Sequence, residues 1–155
     1  MPESAAPKLG KNSSLVTMEV DVPANANGVL YALAGFSGGV TCYIKNAILS
    51  YEFNLFEVQR TKVKSKGKLA AGKQKIEIES RLVKGIGGPM DITLRVNGTV
   101  VGQGQVPAAM SLHFTSNATF DIGIDHDSPV SLDYYNQAPF AFNGKIGKTT
   151  IAYIK

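Results

Sequence analysis

The chain has 155 residues and a formal net charge of +4, with 44% apolar and 18% charged residues. That size supports a hydrophobic core without disulfide staples, and the single cysteine, Cys42, excludes an internal disulfide and a cysteine-ligated zinc site. Low charge with 16 glycines favours β-structure over a helical bundle, and no run reaches the roughly 20 apolar residues of a membrane helix.

The opening residues PESAAPKLGKNSS are polar and proline-containing, unlike a basic-then-apolar leader. They predict an arm, residues 1–12, lying against one β-sandwich domain, residues 13–155. On this reading the chain is cytoplasmic as it stands, and periplasmic or secreted if processed from a longer precursor. Val16, Met18, Val20 and Val22 alternate with Thr17, Glu19 and Asp21, which predicts a half-buried strand ended by Pro23. Gly28 to Ala34 is a continuous apolar run followed by the flexible GFSGG. Val40 to Lys45 leads through Asn46-Ala47 into Ile48 to Leu55, a predicted hairpin. Cys42 lies in the apolar VTCYI and is expected as a buried strand residue rather than a nucleophile.

Arg60, Lys62, Lys64, Lys66 and Lys68 alternate with smaller residues, so on a strand they share one face. A solvated face is the first expectation, and an anionic glycan or acidic protein surface the alternative. No reader motif accompanies the charge, so nucleic acid is not an expected partner. Ile76 and Ile78 alternate with Glu77 and Glu79. The glycine-rich Val83 to Met90 lacks the Lys-Ser/Thr ending and following helix of a phosphate-binding loop, and is expected to be a mobile loop. Met90, Ile92, Leu94 and Val96 alternate up to Asn97-Gly98, a strong hairpin signal. In the return strand, Thr99 to Val106, Gly102 and Gly104 suggest a bulge or a close backbone approach. Leu112 to Phe114, Thr119 to Ile124 and Lys145 to Ile154 complete about ten short strands with no helical window. The expected fold class is all-β, an antiparallel sandwich or jelly roll.

Catalytic candidates are few. His113 lies in an alternating strand pattern without a flanking acid, and His126 sits between Asp125 and Asp127. There is no nucleophile elbow, P-loop or zinc-binding helix motif. Asp121, Asp125, Asp127 and Asp133 first suggest turn chemistry. The alternative is a calcium site at Asp121, Asp125 and Asp127, since calcium takes several oxygen ligands from flexible loops. Tyr31, Tyr43, Tyr51 and Phe53 fall on three successive strands. Core placement is their first expectation, with a sugar-contact platform as the alternative.

Five segments taken in order extend the reading: AAPKLGKNSSLVTMEVDVP, NGVLYALAGFSGGVTCYIKNAILSYEFNLF, AAGKQKIEIES, ITLRVNGTVVGQGQVP and FDIGIDHDSPVSLDYYNQAPFAFNGKIGKTTI. Together the sequence resembles the C-terminal β-sandwich domain of bacterial arylsulfatases. Asn46-Ala47 stands where the resemblance leads one to expect an Asp-Gly-type turn, and Ala47 tolerates a positive φ poorly. The resemblance implies a concanavalin-like sandwich that packs against a sulfatase catalytic domain or, with that face exposed, against a second copy. The formylglycine motif of those enzymes, C/S-x-P-x-R, is absent: Cys42 is followed by Tyr43-Ile44-Lys45. The functional expectation is a non-catalytic packing or interaction module, with a carbohydrate-binding module, assisted by calcium, as the alternative.

Overall fold

Alternation governs the observed strands as it does the sequence. In the computed structural model, which describes residues 13–35, 38–55, 59–83, 88–107, 119–123 and 140–154, Val16, Met18, Val20 and Val22 of β1 (Ser14–Val22) point into the core while Glu19 and Asp21 face water. The chain continues through β2 (Gly28–Gly35), β3 (Gly38–Lys45), β4 (Ile48–Leu55), β5 (Gln59–Lys64) and β6 (Gly72–Leu82). Then come β7 (Met90–Val96), β8 (Thr99–Val106), β9 (Thr119–Ile122) and β10 (Lys145–Tyr153). They form two five-stranded antiparallel sheets, in the orders β10-β1-β6-β7-β8 and β5-β4-β3-β2-β9, with no helix among the described residues. The all-β sandwich expected from the alternation is therefore observed.

One core fills the space between the sheets. Met18, Ile76, Ile78, Met90, Ile92 and Leu94 from the first sheet meet Leu33, Val40, Cys42, Leu49, Tyr51 and Phe53 from the second. A smaller cluster of Val29, Ala32, Tyr43 and Phe140 covers the far side of the second sheet.

Both predicted hairpins form. Asn97-Gly98 turns with φ of 52° and 85°, and Asn46-Ala47 with 52° and 64°. Ala47 thus holds the conformation that costs an L-residue about 1–2 kcal/mol. Its N–H donates to Ala26 O at 3.0 Å, and its carbonyl accepts from Leu69 N at 2.7 Å, which secures the turn from both sides.

A register shift at Leu94/Arg95 places Val101 as an extra residue in β8. Beyond it Gly102 and Gly104 face inward, opposite Leu94 and Ile92. There they allow β8 to approach β5: a Cβ on Gly102 would lie 2.5 Å from Lys64 O, and one on Gly104 2.7 Å from Val63 Cγ2. The sequence suggested a bulge or a close approach; both occur.

The strand expected over Thr119 to Ile124 stops at Ile122. The proposed arm, Phe36 and Ser37 of GFSGG, residues 84–87 of the Val83 to Met90 loop and Leu112 to Phe114 lie outside the described residues.

Candidate functional site

An exposed polar surface with converging hydrogen-bonding groups lies on the outer face of the first sheet. Inward positions of β6 and β7 are taken by Ile76, Ile78, Ile92 and Leu94, so alternation turns Glu77, Glu79, Arg81, Asp91, Thr93 and Arg95 outward. The bulge in β8 then sets which partners they meet. A two-residue turn without it would pair Gln103 with Ile92; the shift instead places Gln103 opposite Thr93 and Gln105 opposite Asp91.

Two cross-strand rows result, Arg81–Asp91–Gln105 and Glu79–Thr93–Gln103. Gln105 Nε2 donates to Asp91 Oδ1 at 2.8 Å. Arg95 Nη1 donates to Glu79 Oε1 at 3.3 Å, and Arg81 Nε to Glu79 Oε2 at 3.4 Å. A shallow groove runs among these side chains. It offers carboxylate acceptors, guanidinium donors and amides that do both. Such a surface can hold a hydroxyl-rich molecule by hydrogen bonds.

The aromatic residues proposed for sugar contact are elsewhere. Tyr31, Tyr43, Tyr51 and Phe53 are 1–2% exposed, so none can stack on a sugar. Nor do they share a face. The register shift between Val29 and Tyr31 turns Tyr31 inward with Tyr51 and Phe53, whereas Tyr43 packs in the opposite cluster. The platform alternative is corrected: all four are core. Cys42 is buried and free, and burial pushes its thiol far up from its usual range, as it does the Tyr31 and Tyr51 phenols. An inert core thiol results.

The basic strand is only partly solvated. Arg60, Lys62 and Lys64 share one face of β5, opposite Asn54, Glu52 and Ser50 of β4. Glu52 is fully buried; Arg60 Nη1 donates to its Oε2 at 3.0 Å, and Lys62 Nζ lies 4.0 Å from Oε1. Thr41 and Asn54 beside it are buried too. The acid was missed although ILSYEFNL shows it: Ser50, Glu52 and Asn54 hold one parity, leaving Leu49, Tyr51 and Phe53 the other.

Asp121 occupies the β9 position opposite Ala32. Asp125, His126, Asp127, Ser128 and Asp133 lie outside the described residues, as does His113. Among the described residues no cluster of three potential metal-ligating acids, histidines or cysteines occurs.

No protein-family model matches the chain, and no curated protein matches it either. Solved structures do. Domains LG4-5 of the mouse laminin alpha1 chain superpose with a TM-score of 0.65 at 13% identity, over 92% of this chain and 35% of that one. The CBM40 of a Ruminococcus gnavus IT-sialidase gives 0.65 at 13%, over 96% and 80%. A SAP-like pentraxin from Limulus polyphemus gives 0.54 at 12%, over 94% and 66%. The chain thus spans about a third of the laminin chain and two thirds of the pentraxin. At these identities the likeness is one of fold, a concanavalin-like jelly roll.

Proposed function

We propose that this chain is a non-catalytic binding module that holds glycan hydroxyls on the open face of the β10-β1-β6-β7-β8 sheet. The observation that carries the reading is the exposed pair of rows Arg81–Asp91–Gln105 and Glu79–Thr93–Gln103. Donors and acceptors are placed there on paired strands, and the side chains hydrogen-bond one another. The fold shared with a CBM40 module supports the same class of ligand by analogy alone. A glycan array probed with the wild-type chain and with Asp91→Ala/Gln105→Ala tests it, with and without EDTA. Sugar binding lost in the variant and indifferent to EDTA is the expected result. Binding that survives the substitutions and vanishes in EDTA would move the site to Asp121, Asp125 and Asp127 with calcium.

A second role, packing against a sulfatase catalytic domain or another copy, rests on the motif resemblance and one surface. Ile122 is 47% exposed, beside half-buried Phe142 and Ile146, where β9 and β10 flank a groove. Sedimentation of wild type against Ile122→Asp tests this role: self-association reversed by the substitution is expected, and a wild-type monomer counts against it.

A further inference from the structure

Beyond the sheet face, a second surface has a different charge character. Lys64, Lys66 and Lys68 follow one another at alternate positions, all exposed, and none forms an ion pair among the described residues. Their backbone is held firmly. Ser65 N donates to Leu49 O at 2.8 Å, Lys66 N to Val101 O at 2.8 Å, and Leu69 N to Ala47 O at 2.7 Å. Ser65 is itself buried, its hydroxyl accepting from Leu49 N and donating to Gly67 O. Lys66 and Lys68 rim a groove floored by Leu69, Val96, Val100 and Val101, and no carboxylate lines it.

The other exposed lysine group differs. Lys73, Lys75 and Lys145 share their groove with Glu19 and Asp21. Among the described residues, the segment from Lys64 to Lys68 thus carries a run of three lysines beside a groove with no carboxylate in its lining.

We propose that this lysine track is a docking site for a sulfated polysaccharide. Lys64 ends β5 and Lys66 and Lys68 follow in the bend after it, a run of three charges that suits a repeating polyanion better than a single small ion. The lysines present point charges on flexible stems, matched to sulfate groups whose exact placement varies along a polymer. The valine and leucine floor accepts the C–H face of a sugar ring. Nucleic acid is disfavoured because no aromatic side chain lines the groove for base stacking. An anionic membrane is disfavoured because Val100 is the one large exposed apolar side chain there, and it lies on a strand rather than an amphipathic helix.

The proposal uses the glycan reading for the class of polymer and a different surface for binding, so the two fail separately. The probe is heparin, with its unsulfated backbone polymer as comparison. Proteins compared are wild type, Lys64→Gln/Lys66→Gln/Lys68→Gln, and the charge-matched control Lys73→Gln/Lys145→Gln/Lys148→Gln, each checked by thermal melting. The track variant should bind heparin at least about tenfold more weakly and with a shallower salt dependence, while the control binds within about twofold of wild type. Equal losses in both variants, or no heparin binding by wild type, overturn the proposal. So does equal affinity for the unsulfated polymer, a result that leaves the sheet-face reading intact. Preferential competition by single-stranded DNA or anionic vesicles, lost in the track variant, would reassign the track to that polyanion and equally overturn it.

Discussion

Gly102→Ala should open the seam between the two sheets. The new Cβ would sit 2.5 Å from Lys64 O, about 0.9 Å inside the 3.4 Å at which ordinary contact begins. The obstacle cannot rotate aside, because Lys64 lies in β5 paired with Ser50 of β4. The inner side is occupied as well, with Leu94 Cδ1 at 3.4 Å. β8 and β5 must part, and overpacking of this kind costs about 2–3 kcal/mol. For a domain of this size that lowers Tm by roughly 5–10 °C. Gly67→Ala is the internal control: nothing lies within 4 Å of its Cβ position, so it should be neutral or stabilising by up to about 1 kcal/mol. Urea unfolding of both variants, with m unchanged, gives the comparison. A Gly102→Ala variant within about 0.5 kcal/mol of Gly67→Ala would refute the close-approach argument.

The neighbouring contact is with a side chain, so it can be relieved: Gly104→Ala should destabilise alone, and Val63→Ala should offset part of the loss in a double-mutant cycle, with favourable coupling of about 1 kcal/mol or more. Additive losses would show that Val63 is not the obstacle. Arg60→Ala strips the buried Glu52 of its closest cation and should cost about 2–3 kcal/mol, whereas the exposed Arg81→Ala should stay within about 0.5 kcal/mol; denaturant midpoints measure both. Cys42, Tyr31 and Tyr51 have folded pKa values raised by burial above ordinary values of 9.0 and 10.0. Their contribution to stability is therefore complete below the unfolded thiol value. As pH rises past it, stability falls, at about 1.4 kcal/mol per pH unit for each ionising group. Flat stability from pH 8 to 11 would contradict this, as would a Cys42 thiol that reacts with a labelling reagent faster than the chain unfolds.

Alternation carried most of the fold into view. Val16, Met18, Val20 and Val22, or Ile76 and Ile78, reveal strand and buried face together, and Asn97-Gly98 marks its hairpin because few other dipeptides accept two positive φ values. Faces were harder to assign where the register shifts. The regular β3–β4 register already sets Tyr43 on the face opposite Tyr51 and Phe53, and the bulge in β2, which reverses parity between Val29 and Tyr31, brings Tyr31 to the side of Tyr51 and Phe53. The bulge in β8 does the same to the site: only after Val101 is counted as the extra residue do Gln103 and Gln105 reach the outer face. A period of two also says which residues share a face but not which face is covered, so the basic side of β5 read as solvated while Glu52 lay buried beneath Arg60. The acidic loop at Asp125 and Asp127 and the rest of that segment lie outside the described residues.

The glycines that bring β8 against β5 have a consequence for the behaviour of the protein in concentrated solution. Sheet margins template the addition of foreign strands, and proteins suppress this with charge, bulges or cover. Here two margins face each other across Gly102 and Gly104, leaving an incoming strand no room between Lys64 and β8. Among the described residues two margins remain, the four-residue β9 and β10, and the hazard is greater at β10, nine residues long and paired on one side by β1. That strand carries Lys145, Gly147 and Lys148 near its start and an irregular register where it meets Met18 and Val20. Neutralising Lys145 and Lys148 should therefore speed fibril formation more than the same change at Lys64 and Lys66, although both remove the same charge.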